Sequence, residues 1–408
     1  MFSNTCRCIN CIIPPHMLKK LLESSDARIR DAALKTLVST SIMRGERTVR
    51  GLFASATTAP AKGRRTLFDC AGSTRLPNAT MVRTEDGPAS ADDTVNRAFN
   101  GLGDTREFYK EVFDRDSVDG KGMRLDGYVH YDSAYNNAFW DGSHMVFGDG
   151  DGVLFTDFTK SLDVIAHELT HGVTEVVAGL EYHVQSGALN ESMSDVFGSL
   201  VKQWVGKQSA DQADWLIGAE VFSPDIEADA LRSMKAPGKA YNHPILGRDP
   251  QPDHMNKFVT LPDTSDGDWG GVHYNSGIPN KAFYLVATNI GGYAWDAPGH
   301  IWYEALKASS ANTNFQEFAD TTYLKAGQLY GTNGTEQQAV VAAWKEVGIR
   351  ISGVQSLAAT TARVRRAYAA AGSNGHEDPA DVARKIEQLT GQLATLSKEV
   401  AGLKSKPH

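Results

Sequence analysis

The segment from Asp163 to His171, Asp-Val-Ile-Ala-His-Glu-Leu-Thr-His, constrains this chain more than any other feature of its sequence. Side chains four residues apart lie on the same face of an α-helix, so a helix here presents the imidazoles of His167 and His171 to one metal ion. Glu168 lies about 100° further round the helix and flanks the metal instead of binding it. Its carboxylate is placed to accept a proton from a metal-bound water. The pattern predicts a helix that carries two zinc ligands and a general base.

A second helical segment supplies the third metal ligand. Glu191 lies twenty residues beyond His171 and completes a His₂Glu zinc site, which leaves the fourth position to water. Asp195 follows on the same helical face, where it can accept the spare N–H of a ligand imidazole and fix its tautomer. A metzincin site is not favoured, because it would need a histidine and a glycine where the sequence has Val177 and Thr174.

The composition narrows the class of protein further. A chain of 408 residues is longer than one average domain, and its 41% hydrophobic and 22% charged residues exclude global disorder and collagen-like repeats. No run of about 18 apolar residues occurs, so no membrane-spanning helix is predicted. The formal net charge of -8 argues against a general nucleic-acid binder.

The two ends of the chain differ in charge from its middle. Residues 1–50 carry nine Lys and Arg against four Asp and Glu, and residues 350–408 carry nine against five, so the part between them is strongly acidic. A basic segment beside an acidic body is electrostatically complementary, which favours an inhibitory prosegment at 1–50 over an unrelated docking arm. Pro14 and Pro15 stiffen this segment and suit an anchor. They also stop the only apolar run near the start, so no standard secretory leader is predicted.

The hydrophobic pattern divides the chain into segments. Apolar residues at helical spacing predict helix over 16–43, short apolar runs predict a β-rich lobe up to residue 160, and long amphipathic stretches predict helices at 161–178, 188–205, 276–291 and 315–329. An acidic loop region interrupts these helices at 221–272. The predicted domains are a prosegment (1–50), a linker or processing region (51–63), an N-terminal lobe with the HExxH helix (64–180), a helical C-terminal lobe (181–349) and an extension (350–408).

The extension carries a narrow apolar seam at alternating steps of four and three residues. Such a heptad pattern over 382–403 predicts a coiled coil that self-associates, and the alternative is a single amphipathic helix packed on the body. The members of the seam are Val382, Ile386, Leu389, Leu393, Leu396, Val400 and Leu403.

Five separated blocks resemble the signatures of the thermolysin-like zinc endopeptidases, in that family's order. They are YNNAFWDGSHMVFGDGDG (135–152), HELTHGVTE (167–175), AGLEYHVQSGALNESMSD (178–195), LRSM (231–234) and DWGGVHYNSGIPNKA (268–282). The resemblance covers roughly residues 64–349, and the short prosegment with Pro-Pro-His-Met at 14–17 is most similar to the protealysin type. It implies an α+β fold with a β-rich N-terminal lobe, a helical C-terminal lobe and zinc in the cleft between them.

The resemblance also implies roles for residues outside the metal site. His273 and Tyr182 would donate hydrogen bonds to the oxyanion, and Asp268 would orient His273. Asn137 and the Ala138 carbonyl would hold the substrate backbone, while Arg232 would bind the carbonyl on the leaving side. An apolar pocket for the residue after the cut would be lined by Phe155, Val164, Ile217 and Leu231.

One departure from the family concerns calcium. Members of the family often bind two calcium ions with clustered carboxylates, but one matching position here is Lys202. An ammonium group cannot ligate a cation and can replace one by pairing with Asp163 and Asp214. The double calcium site is therefore predicted to be absent, and a weaker calcium position is considered at 223–229.

Latency and maturation lead to further hypotheses. Cys6, Cys8 and Cys11 lie within six residues, and a thiolate from one of them could displace the water on the zinc. Leu52 and Phe53 are apolar residues that the pocket should accept after the scissile bond, which predicts self-processing in the linker. Secretion by a leaderless route is favoured over a cytoplasmic location.

Two rival functions remain at this point. A different zincin, such as an aminopeptidase, would need an anchor for a free amino terminus, and no extra acidic motif lies beside the site. A catalytically inactive zincin-fold binding or scaffold protein would work through its C-terminal coiled coil. The presence of Glu168, Tyr182 and His273 argues against a loss of catalytic activity.

Overall fold

The computed structural model describes residues 10–53 and 64–353. The chain divides into two compact units, Met1–Ile351 and Ser352–His408, and everything described up to Ile351 belongs to the first. Most of the predicted linker, the heptad seam at 382–403, and Cys6 and Cys8 lie outside the described residues. Within the described ranges, no helix combines the length and the apolar character needed to span a bilayer.

One mixed sheet of six strands forms the N-terminal lobe, and its edge strand comes from the predicted prosegment. The strand order is β1-β5-β6-β4-β2-β3. The strands β2, β4 and β6 run parallel to one another, whereas β1 pairs antiparallel with β5. Their bounds are β1 Asn10–Cys11, β2 Arg65–Asp69, β3 Thr80–Thr84, β4 Leu125–Val129, β5 Ala138–Trp140 and β6 His144–Phe147.

The predicted prosegment continues from β1 into two helices. These are α1, Pro15–Leu21, and α2, Ala27–Phe53, so the helix predicted over 16–43 is interrupted between them. Pro15 begins α1 because a proline in the first turn loses no helical hydrogen bond. The helix α2 reaches Phe53 and so includes the first three residues of the predicted linker.

The β-rich lobe contains one long helix that the sequence analysis missed, α3, Asp93–Phe113. Asp92 caps it by accepting the backbone N–H of Thr94 at 2.8 Å. Glycines inside α3 lower its intrinsic helix propensity, and this made the segment resemble a loop. Packing requires one of them, since a Cβ at Gly101 would lie 2.5 Å from Cδ1 of Ile165.

Helices make up most of the chain after residue 161, and four of them match the predicted ones. The helix α4, Leu162–Val177, carries the HExxH segment of the predicted N-terminal lobe. The helices of the C-terminal lobe are α5 Val184–Gly206, α6 Asp268–Asn275, α7 Gly277–Ile290, α8 Ala297–Lys307, α9 Phe315–Tyr330 and α10 Thr335–Glu346. The segment between α5 and α6, which contains most of the predicted loop region 221–272, holds two antiparallel two-stranded pairs. They consist of β7 Leu216–Ile217 with β8 Arg232–Ser233, and β9 Asn242–His243 with β10 Gly247–Arg248.

The helices α4 and α5 pack with their backbones unusually close. A Cβ at Gly198 would lie 2.6 Å from the carbonyl oxygen of Asp163, so only glycine permits this approach. The facing sides of both helices are almost completely buried. The close contact brings the HExxH segment of α4 against the first half of α5, where Glu191 lies.

Candidate active site

Three side chains from α4 and α5 form a compact triangle of donor atoms. Nε2 of His167 and Nε2 of His171 lie 3.0 Å apart, and each lies 3.5 Å from a carboxylate oxygen of Glu191. A tetrahedral zinc with bonds of about 2.0–2.1 Å holds its donors about 3.3 Å apart. Oε2 of Glu191 is buried without a hydrogen-bond partner, and a bound metal would provide one. The donor set therefore fits zinc, and it is the one such group among the described residues.

Two polar side chains on α5 fix the imidazole rings. Oδ1 of Asp195 lies 2.9 Å from Nδ1 of His167, and Oδ1 of Asn190 lies 2.8 Å from Nδ1 of His171. Both contacts turn Nε2 of each ring towards the metal position, in the manner of outer-sphere partners of metal sites. The sequence predicted Asp195 but missed Asn190. The available signal was that Asn190 directly precedes Glu191 in the sequence. Whether the Asn190 side chain reaches His171, however, depends on the rotamer of the His171 ring.

The general-base candidate Glu168 is completely buried. Its Oε2 accepts the backbone N–H of Trp140 at 3.2 Å, and its Oε1 has no partner. Burial, together with the negative charge of Glu191, raises the pKa of Glu168 well above its usual value. Its position beside the metal-ligand triangle suits a group that accepts a proton from a metal-bound water and later returns it.

The predicted oxyanion donors lie beside the triangle. Nδ1 of His273 is 2.6 Å from Oδ1 of Asp268, whose other oxygen accepts the backbone N–H of His273 at 2.8 Å. Burial lowers the pKa of His273, but Asp268 and Glu191 outweigh it and raise this pKa to about 9. The Tyr182 hydroxyl donates to Glu191 and lies 3.3 Å from Nε2 of His273. The left-handed turn at Asp268, Trp269, Gly270 and Gly271 aims the Asp268 carboxylate at the ring.

Arg232 on β8 is held by a buried, bidentate ion pair. Its Nε and Nη2 donate to the two oxygens of Asp195, each at 2.8 Å. Burial favours neutral side chains, but the mutual attraction of the pair outweighs this effect. It holds the pKa of Asp195 below, and that of Arg232 above, its usual range. The remaining Nη1 points into the cleft.

The predicted prosegment contacts the groups that were predicted to bind substrate backbone. Nη1 of Arg232 donates to the Ile12 carbonyl at 2.9 Å, and Oδ1 of Asn137 accepts the Ile13 N–H at 3.0 Å. The carbonyl of Ala138 accepts the Ile12 N–H at 3.4 Å. These contacts extend the antiparallel pairing of β1 with β5 into the cleft.

The four predicted pocket residues Phe155, Val164, Ile217 and Leu231 are all buried. Ile217 and Leu231 meet through a backbone hydrogen bond of 3.0 Å, next to Arg232. Phe155 stacks on Phe222 with ring centroids 5.3 Å apart. Val164 lies on α4, one turn before His167.

The structure does not bring the Cys11 thiol to the metal ligands. Its side chain lies in a hydrophobic cluster with Met43, Tyr135 and Phe139, and burial raises its pKa to about 12. Its sulfur is not among the donor atoms that lie within 4.8 Å of one another at the metal position. The cysteine-switch hypothesis therefore no longer holds for Cys11, and for Cys6 and Cys8 it stays a prediction outside the described residues.

Two histidine ligands four residues apart, a carboxylate as the third ligand and a further carboxylate beside the metal position define a zinc-dependent class of metallopeptidases. Residues 61–175 match the family described as the catalytic domain of thermolysin metallopeptidases, and residues 178–349 match that family's alpha-helical domain. The chain belongs to the thermolysin metallopeptidase family, and it is a hydrolase that acts as a metalloprotease.

Relatives agree with this assignment. Protease PrtS of Photorhabdus sp. (strain Az29) is 45% identical over 83% of this chain and 92% of its own length. An extracellular metalloprotease of Pectobacterium carotovorum subsp. carotovorum is 44% identical over 85% of this chain and 98% of its own. The solved structure of the precursor of protealysin, a metalloproteinase from Serratia proteamaculans, has a TM-score of 0.74 and 46% identity, and covers 83% of this chain and 99% of that one.

Proposed function

We propose that this protein is the zymogen of a zinc endopeptidase, with residues 1–50 as its inhibitory prosegment and residues 64–349 as its two catalytic lobes. The observation that carries the proposal is the contact of the prosegment backbone with Asn137, Ala138 and Arg232. Extended peptide backbone bound in this way is what an endopeptidase cleft recognises in its substrates.

His167, His171 and Glu191 hold the zinc in this proposal. When bound, zinc polarises the scissile carbonyl and acidifies water. Glu168 takes the proton from the attacking water and returns it to the leaving nitrogen. His273 and Tyr182 donate hydrogen bonds to the developing oxyanion, and one such donor contributes roughly 3 kcal/mol.

The pocket formed by Phe155, Val164, Ile217 and Leu231 would set the cleavage preference. These four side chains are apolar, so the pocket favours a bulky apolar residue such as Leu, Phe or Ile after the cut. Burial of such a side chain contributes about 1.5–3 kcal/mol. The prosegment agrees with this preference, since Ile12 is itself fully buried.

Removal of the metal tests the proposed function. Dialysis against a zinc chelator is expected to abolish digestion of casein and of an end-blocked peptide with Leu after its scissile bond, because the water loses its activation. Added zinc should restore both activities. The matched control is the chelator presaturated with zinc. Digestion that persists without metal contradicts the proposal. Cleavage only of peptides with a free amino terminus favours an aminopeptidase. No digestion of either substrate by the zinc-loaded, processed chain favours the inactive scaffold protein.

We further propose that Lys202 replaces the double calcium site. Its Nζ lies 2.8 Å from Oδ2 of Asp163, 3.1 Å from Oδ1 of Asp214 and 2.8 Å from the Leu216 carbonyl. Burial opposes a charge here, but the two carboxylates outweigh it and raise the pKa of Lys202 above its usual range. The ammonium therefore occupies the centre of this acidic group.

The Lys202→Glu variant tests the proposal that the Lys202 ammonium takes the place of the calcium ions. In the unmodified protein, millimolar calcium is expected to leave the melting temperature unchanged, whereas the variant should be destabilised without calcium and stabilised by it. Lys202→Gln serves as the control that removes the charge without adding a ligand carboxylate. Calcium stabilisation of the unmodified protein, lost on mutation of Asp163, would contradict the proposal.

We also propose a location and an assembly for this chain. A relative is named an extracellular metalloprotease, which supports secretion of this chain as well. Self-association through 382–403 remains part of the proposal, because the heptad seam is narrow. N-terminal sequencing of protein from culture medium and from cells reports location and processing together.

A further inference from the structure

The peptide unit between Cys11 and Ile12 lies at the centre of the active site. The Cys11 carbonyl oxygen is 3.1 Å from Nε2 of His273, and this nitrogen is itself 3.5 Å from the ligand Glu191. The Ile12 N–H donates to the carbonyl of Ala138 at 3.4 Å. Both polar ends of this one peptide unit are thus bound by groups to which the proposed function gives catalytic or substrate-binding roles.

The neighbouring contacts fix the register. Arg232 binds the carbonyl of Ile12 at 2.9 Å, which makes Ile12 the first residue on the leaving side. Asn137 accepts the N–H of Ile13 at 3.0 Å, as expected for the second. Successive side chains of an extended strand point to opposite faces, so the Ile12 side chain points away from the cluster that holds Cys11. A shift by one residue would place the Cys11 side chain where Ile12 now lies.

We infer that the Cys11–Ile12 bond is a cleavage site of this active centre and that the zymogen hydrolyses it. The inference rests on the proposed function. Water adds to the Cys11 carbonyl carbon and the C–N bond breaks. The Ile12 nitrogen keeps the electron pair of that bond and receives, through Glu168, the proton taken from water. The products are a carboxyl group on Cys11 and an amino group on Ile12, with no other reactant.

The cut nicks the prosegment without releasing it. Downstream of Ile12, the chain stays attached through Ile13 to Asn137 and through the helix α1, which begins at Pro15. Lys19 on α1 also pairs with Asp266 of the catalytic body at 3.1 Å. The leaving amine therefore remains beside the new carboxyl group, as in inhibitors that are cleaved slowly in place. This event is distinct from the cut proposed in the linker.

Mass spectrometry of the full chain tests the inference. The chain is purified in the presence of a chelator and reloaded with zinc. Samples are then denatured at intervals, and the masses of the chain and its fragments are measured. We expect a peptide of residues 1–11 and a chain that begins at Ile12, formed at a rate independent of protein concentration. The Ile12→Asp variant should form them at least tenfold more slowly, because burying a carboxylate among the apolar side chains of the pocket is costly. Leu22→Asp adds the same charge to an exposed prosegment position and should leave the rate unchanged.

The outcomes separate this inference from the proposed function. Casein digestion together with an intact Cys11–Ile12 bond, or with cuts only at a neighbouring bond, overturns the register and leaves the protease standing. Failure of both reactions overturns the proposed function and this inference together. A readout without turnover uses metal-free Glu168→Gln chains, in which Ile12→Asp should lower the melting temperature and Leu22→Asp should not.

Discussion

Replacing Glu168 by Gln is expected to lower the turnover of the processed enzyme by at least about 10²-fold, and by up to about 10⁴-fold, with the fold intact. The glutamine oxygen can still accept the backbone N–H of Trp140, now 3.2 Å from Oε2, so the local structure survives. A neutral amide cannot take up a proton from water. Turnover of an end-blocked peptide, measured beside zinc content and melting temperature, tests this expectation.

The assay of the Glu168→Gln variant must distinguish a loss of catalysis from a cleft that is still blocked by the prosegment. A variant that cannot process itself keeps its prosegment, so it should be trimmed with a trace of active enzyme before the assay. Glu175→Gln is the matched control, since it makes the same change at an exposed position of the same helix, α4, and should leave turnover unchanged. Residual turnover near that of the unmodified enzyme would remove Glu168 from the role of general base.

The same variant also tests self-processing of the linker. Purified alone, the Glu168→Gln chain is expected to keep its full mass, because trimming near Leu52 and Phe53 depends on its own active site. Trimming of the pure variant at the same bond would assign maturation to another protease. This result would leave the cleavage mechanism itself untouched.

The metal-ligand arrangement could be predicted because helical spacing is local. His167 and His171 lie one turn apart whatever surrounds α4, and the distance along the chain to Glu191 leaves room for one helical hairpin. The helix α3 could not be predicted in this way, since Gly101 is favoured only by the approach of Ile165 from α4. Tertiary packing overrides intrinsic propensity at such positions.

The prosegment illustrates a second limit of local patterns. Its charge predicted an inhibitory role, and its prolines predicted an anchor, but neither feature indicated which residues enter the cleft. That choice depends on pairing with β5, more than 120 residues away. Asn190 was missed for a related reason, because its contact with His171 depends on side-chain rotamers on two helices.

Replacing Arg232 by Met is expected to lower the free energy of unfolding by about 3–5 kcal/mol, which is the usual effect of breaking a buried ion pair from one side. The change strands the Asp195 carboxylate, which is fully buried and also contacts His167 and Asn280. Because Asp195 orients a metal ligand, zinc affinity should fall as well, by about 10–100-fold. Denaturant unfolding and metal competition measure the two effects. Arg64→Met, which breaks an exposed pair with Asp86, should cost no more than about 1 kcal/mol.

The double variant Arg232→Met with Asp195→Asn separates the loss of the pair from the cost of the stranded charge. An asparagine carries no charge, and its side-chain oxygen can still accept hydrogen bonds from His167 or Asn280. If the stranded carboxylate dominates, the double variant is therefore more stable than Arg232→Met alone. Both variants lose the hydrogen bond from Arg232 to the Ile12 carbonyl, so inhibition by the prosegment should weaken equally in each. A double variant as unstable as the sum of its two single variants would show that Arg232 and Asp195 act independently, against the bidentate contact seen between them.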